Sequence, residues 1–243
     1  MKKVSVVGLG PGHMQGMTGE ALEAIREATV VAGYDLYVSL VAPLTGGKKI
    51  ISTAMKKETQ RCRMALTEAA SGNAVAMVCS GDSGVYGMAG ILLELAPEFP
   101  GVEIRVIPGV TAACSGGAVL GAPLGHDFAV ISLSDLLTPW EKIGMRLEMA
   151  ARGDLAICLY NPSSHKRKDY LERACRILLK HRDPGTVCGY VRNIGREGQS
   201  MDLCTLEELA IRQVDMFTTV FIGNSQTREV GGRMVTPRGY DGV

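Results

Sequence analysis

Short apolar runs alternate with longer amphipathic stretches along the chain, a pattern that is typical of α/β proteins. In the first half, apolar runs predict strands at residues 4–7, 30–32, 49–51, 75–79 and 104–107. Between them, apolar residues at helical spacing predict helices at residues 19–27, 57–70 and 86–95. The first half is therefore predicted to be an α/β domain.

The second half repeats the alternation without repeating the sequence of the first. Strands are predicted at residues 128–132, 155–160, 186–191 and 218–222, and helices at residues 141–150, 170–180 and 206–213. The segment TAACSGGAVLGAP, around residues 112–123, is small, glycine-rich and uncharged. Its start suits a helix N-terminus and its end suits a linker. We therefore expect two α/β domains, at residues 1–115 and 120–243, each of ordinary domain size.

Composition limits the classes of function. Hydrophobic residues make up 46% of the 243 residues, and the formal net charge of +1 gives no indication of nucleic-acid binding. No apolar run reaches the roughly 18 residues of a membrane span, and residues 1–7 are too short for a signal peptide. The seven cysteines are odd in number and none are spaced CxxC, so we expect reduced thiols in a cytoplasmic protein without a membrane partner.

The first motif, GLGPG, follows the first predicted strand and contains Leu9, Gly10 and Pro11. Glycines at such a turn let a ligand approach the backbone closely. The motif is not the dinucleotide fingerprint GxGxxG, because His13 occupies the position of the third glycine. A tight strand-to-helix turn without a ligand is the alternative interpretation.

Two further glycine-bearing turns follow predicted strands. SGDSGVYG contains Gly81, Asp82 and Val85, and PGVTAA contains Thr111 and Ala112. Asp82 could accept hydrogen bonds from ribose hydroxyls or an ammonium group, or it could cap the next helix. Because α/β sheets bind ligands at the carboxyl ends of their strands, the convergence of three such turns is more specific than any one of them.

Two motifs lie in the second half. LYNP, with Leu159, Tyr160 and Asn161, ends a predicted strand, where a tyrosine can pack on a purine or beside a sulfonium. The segment around the 128–132 strand contains His126, Asp127, Ser134 and Asp135, and the residues alone favour a strand followed by a capped helix. No HExxH, Cys/His ligand spacing, GxSxG or Walker loop occurs, so no protein-bound metal is expected.

The order GLGPG, SGDSGVYG, PGVTAA and YNP resembles the tetrapyrrole methylase family, the class III methyltransferases, over essentially the whole chain. The resemblance implies two α/β domains with S-adenosylmethionine in the cleft between them, and a homodimer. The residues that the family motifs place at the cofactor are Leu9, Gly10, Pro11, Gly81, Asp82, Val85, Thr111, Ala112, Leu159, Tyr160 and Asn161. Ser83 departs from the proline that the family commonly has, which puts the rigidity of that loop in question.

Within the family, the string LGHDFAVISLSDLLTPW is similar to members that methylate C(17) of a tetrapyrrole, precorrin-3B or its cobalt-bound counterpart, and contract the ring in cobalamin biosynthesis. Contraction moves protons, and the candidates for that role are His126, Asp127, Ser134 and Asp135. The substrate carries many carboxylates, and the basic residues on predicted loops that could pair with them are Lys166, Arg167, Arg192, Arg196 and Arg238. A solvated surface charge is the alternative for each.

Two other functions stay open at this point, and the sequence argues against a third. Other methylases of the family, acting on uroporphyrinogen, another precorrin position or diphthine, share the first three motifs but should lack the long string. A nicotinamide oxidoreductase would need the GxGxxG that is absent. A module that binds S-adenosylmethionine without turning it over would carry the same loops.

Overall fold

The computed structural model describes residues 2–164 and 166–240. The chain divides into two compact units, Met1–Ala112 and Ala113–Val243. The division lies inside the small, glycine-rich segment, whereas the sequence predicted domain limits at residues 115 and 120. Within the described residues, no helix is both long and apolar enough to pass through a membrane.

The first unit is built on a parallel five-stranded sheet with the order β3-β2-β4-β1-β5. Its strands are β1 (Lys3–Gly8), β2 (Val30–Tyr34), β3 (Lys49–Thr53), β4 (Ala74–Cys79) and β5 (Glu103–Ile107). Its helices are α1 (Gly19–Glu27), α2 (Asp35–Leu40), α3 (Glu58–Ala70) and α4 (Ala89–Leu95).

Alternating side chains of the central strands enter two different cores. Val4 and Val6 of β1 pack in one hydrophobic cluster, whereas Val7 packs in the other. Successive side chains of a strand point to opposite faces, so both faces of this sheet are covered. This double burial is why the three central strands, β1, β2 and β4, are mostly apolar along their length, whereas the edge strands β3 and β5 are largely exposed.

Helix α1 shows how the sequence sets the start and the orientation of a helix. The Thr18 hydroxyl accepts a hydrogen bond from the N–H of Ala21 at 3.1 Å and caps the first turn. Ala21, Ala24 and Ile25 are its buried residues and recur at helical spacing. The apolar face therefore packs on the sheet and leaves Glu20 at the surface.

The second unit contains a mixed five-stranded sheet with the order β10-β9-β11-β8-β7 and a small sheet with the order β12-β13-β6. The strands are β6 (Gly121–Ala122), β7 (Phe128–Ser132), β8 (Ala156–Tyr160), β9 (Val187–Arg192), β10 (Ser200–Thr205), β11 (Thr218–Ile222), β12 (Arg228–Val230) and β13 (Arg233–Val235). The helices are α5 (Ala112–Leu120), which begins at the last residue of the first unit, α6 (Trp140–Arg152), α7 (Tyr170–Leu178) and α8 (Leu206–Leu209).

Parallel and antiparallel pairing coexist in the larger sheet of this unit. Strand β7 pairs with β8 in parallel, whereas β11 lies antiparallel between β8 and β9, and β10 is antiparallel to β9. Its hydrophobic core includes side chains of α6, α7 and the sheet, such as Leu147, Leu178 and Ile157. The α/β fold class is therefore confirmed.

Several predicted elements have different limits in the structure. Helix α4 begins at Ala89 rather than at residue 86, because Tyr86 has a φ of 53° that a helix does not allow. The segment predicted to end in a linker forms helix α5 and continues into β6. Strand β10 and helix α2 were not predicted, since SMDLCT and DLYVSL lack a clear apolar run or a helical repeat.

Candidate functional site

Three glycine-bearing turns meet at one edge of the first unit's sheet. Strands β4, β1 and β5 are neighbours and run in parallel, so the turns at their carboxyl ends lie side by side. These turns are the motifs GLGPG, SGDSGVYG and PGVTAA. The convergence expected from the sequence is therefore present, at the edge where α/β sheets bind ligands.

Backbone contacts join the three turns directly. The N–H of Gly10 donates to the carbonyl of Gly81 at 3.0 Å, and the N–H of Gly81 donates back to the carbonyl of Gly10 at 2.9 Å. A Cβ added to Gly8 would lie 2.6 Å from the nitrogen of Gly109, and one added to Gly109 would lie 2.2 Å from the carbonyl oxygen of Gly81. Glycine is required here because the turns touch through their backbones.

Gly10 and Gly81 both have left-handed backbones, but their surroundings differ. Gly10 has a φ of +68°, and an added Cβ would lie 2.4 Å from the carbonyl oxygen of Gly16. Gly81 has a φ of +66°, and an added Cβ would meet Thr111 and Ala112 only at 3.7 and 3.8 Å. Gly81, Thr111 and Ala112, three predicted cofactor residues, thus lie close together.

Asp82 is held by backbone donors of two turns. Its Oδ1 accepts hydrogen bonds from the N–H groups of Gly84 at 2.8 Å and Val85 at 3.0 Å. Its Oδ2 accepts from the N–H of Gly109 at 2.9 Å. The carboxylate therefore fixes its own turn and clamps it to the turn after β5.

Ser83 adds a second clamp that the sequence did not indicate. Its side chain is fully buried, and its hydroxyl donates to the carbonyl of Ile107, the last residue of β5, at 2.8 Å. A proline could not make this bond. The departure from the family pattern thus replaces the fixed ring of a proline with a buried hydrogen bond.

The predicted cofactor residues of the first unit differ in what they can offer a ligand. Leu9 is buried, with its N–H donating to the carbonyl of Cys79 at 2.8 Å, so its side chain belongs to the core. Gly10 is also buried, whereas Val85 is exposed. The half-buried members are Pro11, Gly81, Asp82, Thr111 and Ala112.

The YNP motif lies at the carboxyl end of β8 in the second unit. The Tyr160 hydroxyl accepts a hydrogen bond from the N–H of Ala113 at 2.7 Å, in the first turn of α5. Asn161 has a φ of 53°, and its Nδ2 donates to the Ser132 hydroxyl at 3.0 Å. Leu159 is fully buried. Of the three predicted cofactor residues here, Tyr160 and Asn161 therefore have polar side-chain atoms and Leu159 has none.

Ser134 and Asp135 lie beside this motif, because β7 and β8 are parallel and end together. The Arg167 Nη1 donates to the Ser134 hydroxyl at 2.8 Å and to Asp135 Oδ1 at 3.1 Å. The Tyr170 hydroxyl donates to Asp135 Oδ2 at 2.6 Å. Both carboxylate oxygens of Asp135 therefore already accept hydrogen bonds within the protein.

These bonds set the charge state of Asp135. The hydrogen bond from Tyr170, and then the guanidinium of Arg167, hold the pKa of Asp135 below its ordinary value. The hydrogen bond that the Tyr170 hydroxyl donates to this carboxylate raises the pKa of the hydroxyl, because the bond stabilises the protonated phenol. The pair is thus a carboxylate facing a neutral phenol at neutral pH.

His126 and Asp127 lie at the other end of β7, because they precede this strand whereas Ser134 and Asp135 follow it. His126 Nδ1 accepts from the N–H of Asp127 at 2.8 Å, and the Asp127 side chain is 86% exposed. At roughly 3.3 Å per residue, the strand separates the two ends by more than about 13 Å. The structure does not bring the four predicted proton-transfer residues together.

The predicted substrate cations also lie in two different places in the second unit. Lys166 and Arg167 follow β8, and Arg192 and Arg196 lie at or after the end of β9, all at the same edge of the sheet. Arg192 Nε donates to Asp215 Oδ2 at 2.6 Å. Arg238 instead follows β13, close to Thr236, whose N–H donates to the carbonyl of Ala122 at 3.0 Å. It therefore belongs to the segment that lies near the start of β7.

Among residues 2–164 and 166–240, no cluster of three or more His, Cys, Asp or Glu side chains could hold a metal ion.

The sequence analysis did not predict two residues that make hydrogen bonds in the site, Ser83 and Tyr170. Nothing in the sequence around Ser83 indicates which group its hydroxyl bonds to, and Tyr170 is the first residue of a predicted helix. Only the fold shows that their hydroxyls meet Ile107 and Asp135.

Comparisons with known proteins identify the family of this chain. Residues 3–210 match the family model described as Tetrapyrrole (Corrin/Porphyrin) Methylases, and the chain belongs to that family. The resemblance found in the sequence is thereby confirmed. Among its relatives, a probable cobalt-factor III C(17)-methyltransferase of Salmonella typhimurium is 45% identical over 98% of this chain and 99% of that protein.

Two further proteins extend the comparison. The cobalt-factor III methyltransferase of Priestia megaterium is 43% identical over 98% of this chain, which spans 45% of that longer protein. The crystal structure of the methyltransferase CobJ matches with a TM-score of 0.90 and 41% identity over 96% of this chain and 99% of that one. A uroporphyrin-III C-methyl transferase from Thermus thermophilus, complexed with S-adenosyl homocysteine, matches with a TM-score of 0.73 at 24% identity over 91% of this chain and 97% of that one, and shares the fold.

Proposed function

We propose that this chain transfers a methyl group from S-adenosylmethionine to C(17) of cobalt-factor III or precorrin-3B, with ring contraction, in cobalamin biosynthesis. The observation that supports this most strongly is the end-to-end similarity to the Salmonella protein, which covers both chains almost completely. The site is consistent with it, because methyl transfer from an activated donor requires placement rather than a nucleophilic side chain. Any cobalt in the reaction belongs to the substrate.

We propose that the three turns of the first unit hold the cofactor, whose sulfonium supplies the activated methyl group. Gly81 supports this proposal, because a Cβ there would meet only Thr111 and Ala112, at 3.7 and 3.8 Å, so a ligand can approach the backbone of this turn closely. Gly10 and Leu9 contribute through the backbone, whereas Pro11 and Val85 contribute through side chains that are partly exposed. The contacts of Leu159, Tyr160 and Asn161 with the cofactor stay predictions.

In this proposal Asp82 holds the turns together, because its carboxylate accepts hydrogen bonds from three backbone N–H groups. It contacts the cofactor only through the oxygen lone pairs that these three bonds do not use. Calorimetry with S-adenosylhomocysteine tests it. Asp82→Ala should weaken binding at least about tenfold, since each lost charge-assisted bond is worth roughly 1.5–3 kcal/mol. Asp35→Ala, which removes an exposed carboxylate at the start of α2, is the control. Absence of binding by the parent chain at millimolar ligand would contradict the cofactor assignment.

The activity itself is tested with labelled S-adenosylmethionine and three acceptors. Cobalt-factor III and precorrin-3B should each be compared with uroporphyrinogen III, the acceptor expected of another branch of the family. Label in a ring-contracted product from either of the first two supports the proposal. Label transferred only to uroporphyrinogen III assigns the chain to the alternative branch, and binding without any transfer assigns it to a non-catalytic module.

The proton-transfer roles of His126, Asp127, Ser134 and Asp135 stay predictions, and the geometry distinguishes two pairs. We propose that Ser134 and Asp135 act at the substrate, because they lie beside Asn161 at the carboxyl edge of the sheet. Single substitution of each residue, followed by mass and absorption analysis of products, tests this. Slower contraction only in the His126 and Asp127 variants would reverse the assignment.

We propose that the substrate's carboxylates are met at the edge formed by the ends of β8 and β9. Lys166 is exposed there, whereas Arg167 and Arg192 are already paired with Asp135 and Asp215. Arg196 follows β9 at the same edge, whereas Arg238 lies in the segment after β13, away from this edge, and its contact with the substrate stays a prediction. Single substitutions by Gln, read as the substrate KM at low and high salt, test each cation separately, because screening reduces only the contribution of a charge that binds.

We also propose that the protein is a cytoplasmic homodimer, as the family resemblance implies. Sedimentation equilibrium of the purified chain gives its mass directly. A mass of one chain at micromolar concentration would contradict the dimer and leave the proposed reaction unaffected.

A further inference from the structure

The segment between β7 and α6 is anchored at both ends, and its tip is exposed. Leu133 is fully buried, and the Ser134 N–H donates to the Ser132 hydroxyl at 3.2 Å. At the other end, Trp140 lies with its ring centroid 4.5 Å from that of Tyr170. The Arg173 guanidinium covers the Trp140 ring at 4.0 Å. The ends of the segment therefore have fixed positions.

Asp135 holds the middle of the segment. Its two oxygens accept from Arg167 and Tyr170, and Arg167 Nε also donates to the Ser164 hydroxyl at 3.0 Å. These bonds tie the segment to the loop after β8 and to the start of α7. The carboxylate thereby determines where the next two residues are presented.

Those two residues are leucines with solvent-exposed side chains. The side chain of Leu136 is 62% exposed and that of Leu137 is 97% exposed. Single exposed apolar residues are ordinary on protein surfaces. Two adjacent ones at the tip of a segment fixed by a buried leucine, a stacked tryptophan and an ion pair indicate a surface prepared for an apolar ligand.

The surroundings of the tip indicate the chemistry of that ligand. The ion pair between Asp135 and Arg167 brings the 166–168 segment beside the leucines, and Lys166 and Lys168 are both exposed. The surface thus combines apolar contact with positive charge. A tetrapyrrole has the matching properties, with a broad apolar ring face and carboxylates on its rim.

We propose that Leu136 and Leu137 form an apolar lip that packs against the ring face of the tetrapyrrole substrate, with Lys166 and Lys168 facing its carboxylates. The inference rests on the proposed function for the class of substrate. It gives Asp135 a second role besides the proton transfer proposed above, because its bonds to Arg167 and Tyr170 also position the lip. It assigns substrate binding to two leucines, whose side chains have no polar atoms.

The test is direct titration of the full chain with cobalt-factor III, without methyl donor, followed by absorption. Leu136→Ser and Leu137→Ser should each weaken binding about tenfold, and the double variant about a hundredfold, as expected from the loss of apolar burial. Leu137→Met should bind like the parent. Ile211→Ser, which changes another apolar residue that is 84% exposed in the same unit, is the matched control.

Two readouts separate the alternatives. In calorimetry, all variants should bind S-adenosylhomocysteine with the same affinity as the parent. If the parent does not bind S-adenosylhomocysteine, the proposed function is contradicted, but the tetrapyrrole titration still tests the lip. Equal tetrapyrrole affinity in the parent, the leucine variants and Ile211→Ser overturns the lip. The lip is also overturned if the leucine variants still bind the tetrapyrrole but sediment with half the mass of the parent. In that case the leucines contact a second copy of the chain.

Discussion

The hydroxyl of Ser83 donates a 2.8 Å hydrogen bond to the carbonyl of Ile107, inside a side-chain environment that excludes water completely. This bond joins the turn after β4 to the last residue of β5. This buried donor and the Asp82 carboxylate, which accepts from Gly109, thus both hold two of the three turns of the proposed cofactor site together. Removal of that donor leaves a carbonyl lone pair that water does not reach.

Ser83→Ala should therefore lower the free energy of unfolding by about 1–3 kcal/mol, the usual cost of a buried polar group that loses its partner. Urea denaturation of the purified chain measures it. Ser39→Ala removes a similar 2.7 Å bond, from a serine hydroxyl to the carbonyl of Leu36, at an exposed site. That control should change stability by less than about 0.5 kcal/mol, and equal effects of the two substitutions would contradict the clamp.

Gly10→Ala and Gly81→Ala should differ in severity although both residues have positive φ. The strained backbone costs roughly 1–2 kcal/mol at either position. At Gly10 the new Cβ also meets the carbonyl oxygen of Gly16 at 2.4 Å, so the loop itself must move. We expect Gly10→Ala to lose more stability than Gly81→Ala in thermal unfolding.

The same pair distinguishes folding from cofactor binding. At Gly81 the Cβ enters the space bordered by Thr111 and Ala112, where contacts are of ordinary length. Gly81→Ala should therefore fold and bind S-adenosylhomocysteine less tightly. An unchanged dissociation constant for this variant would remove that space from the cofactor site.

Asp135→Asn should change how stability depends on pH. Because Tyr170 and Arg167 hold the pKa of Asp135 below its ordinary value, its stabilisation is complete above the unfolded pKa of about 3.9. It is lost as the pH falls through the lower folded pKa. The side chain is partly exposed, so screening keeps the effect below about 1 kcal/mol.

The measurement is the difference in unfolding free energy between the parent and Asp135→Asn from about pH 6 to about pH 3. We expect the difference to be constant at the upper end and to shrink at the lower end. Asp127→Asn, at a carboxylate that is 86% exposed, serves as the control. A difference that grows on acidification would mean that Asp135 does not bind Arg167 and Tyr170 as an anion.

The seven thiols should react very unequally. Cys114 is exposed, whereas the other six are buried. Burial raises the pKa of Cys62 and Cys79 to about 12, so their reactive thiolates are scarce at neutral pH. A chromogenic disulfide reagent should modify one thiol in the native chain and seven in denaturant. Rapid native reaction that survives Cys114→Ser would show that the buried thiols become accessible.

The turns of the first unit could be predicted from the sequence because each is defined by residues that are adjacent along the chain. A glycine-rich turn after an apolar run marks the carboxyl end of a strand, and GLGPG, SGDSGVYG and PGVTAA each do so. The limits of β7 and β11 were predicted at residues 128–132 and 218–222, as observed. The function of Asp82 was less accessible, because its third donor, Gly109, lies 27 residues away.

The amino-acid sequence by itself determined the two-part α/β class, the three turns and the family, since each depends on residues close together along the chain. The tertiary structure alone decided which polar groups meet. It separated His126 and Asp127 from Ser134 and Asp135 by the length of β7, and it paired Asp135 with Arg167 and Tyr170 across more than thirty residues. The physical reason is that strand pairing and helix packing, rather than local propensity, set the distance between side chains that are remote in sequence.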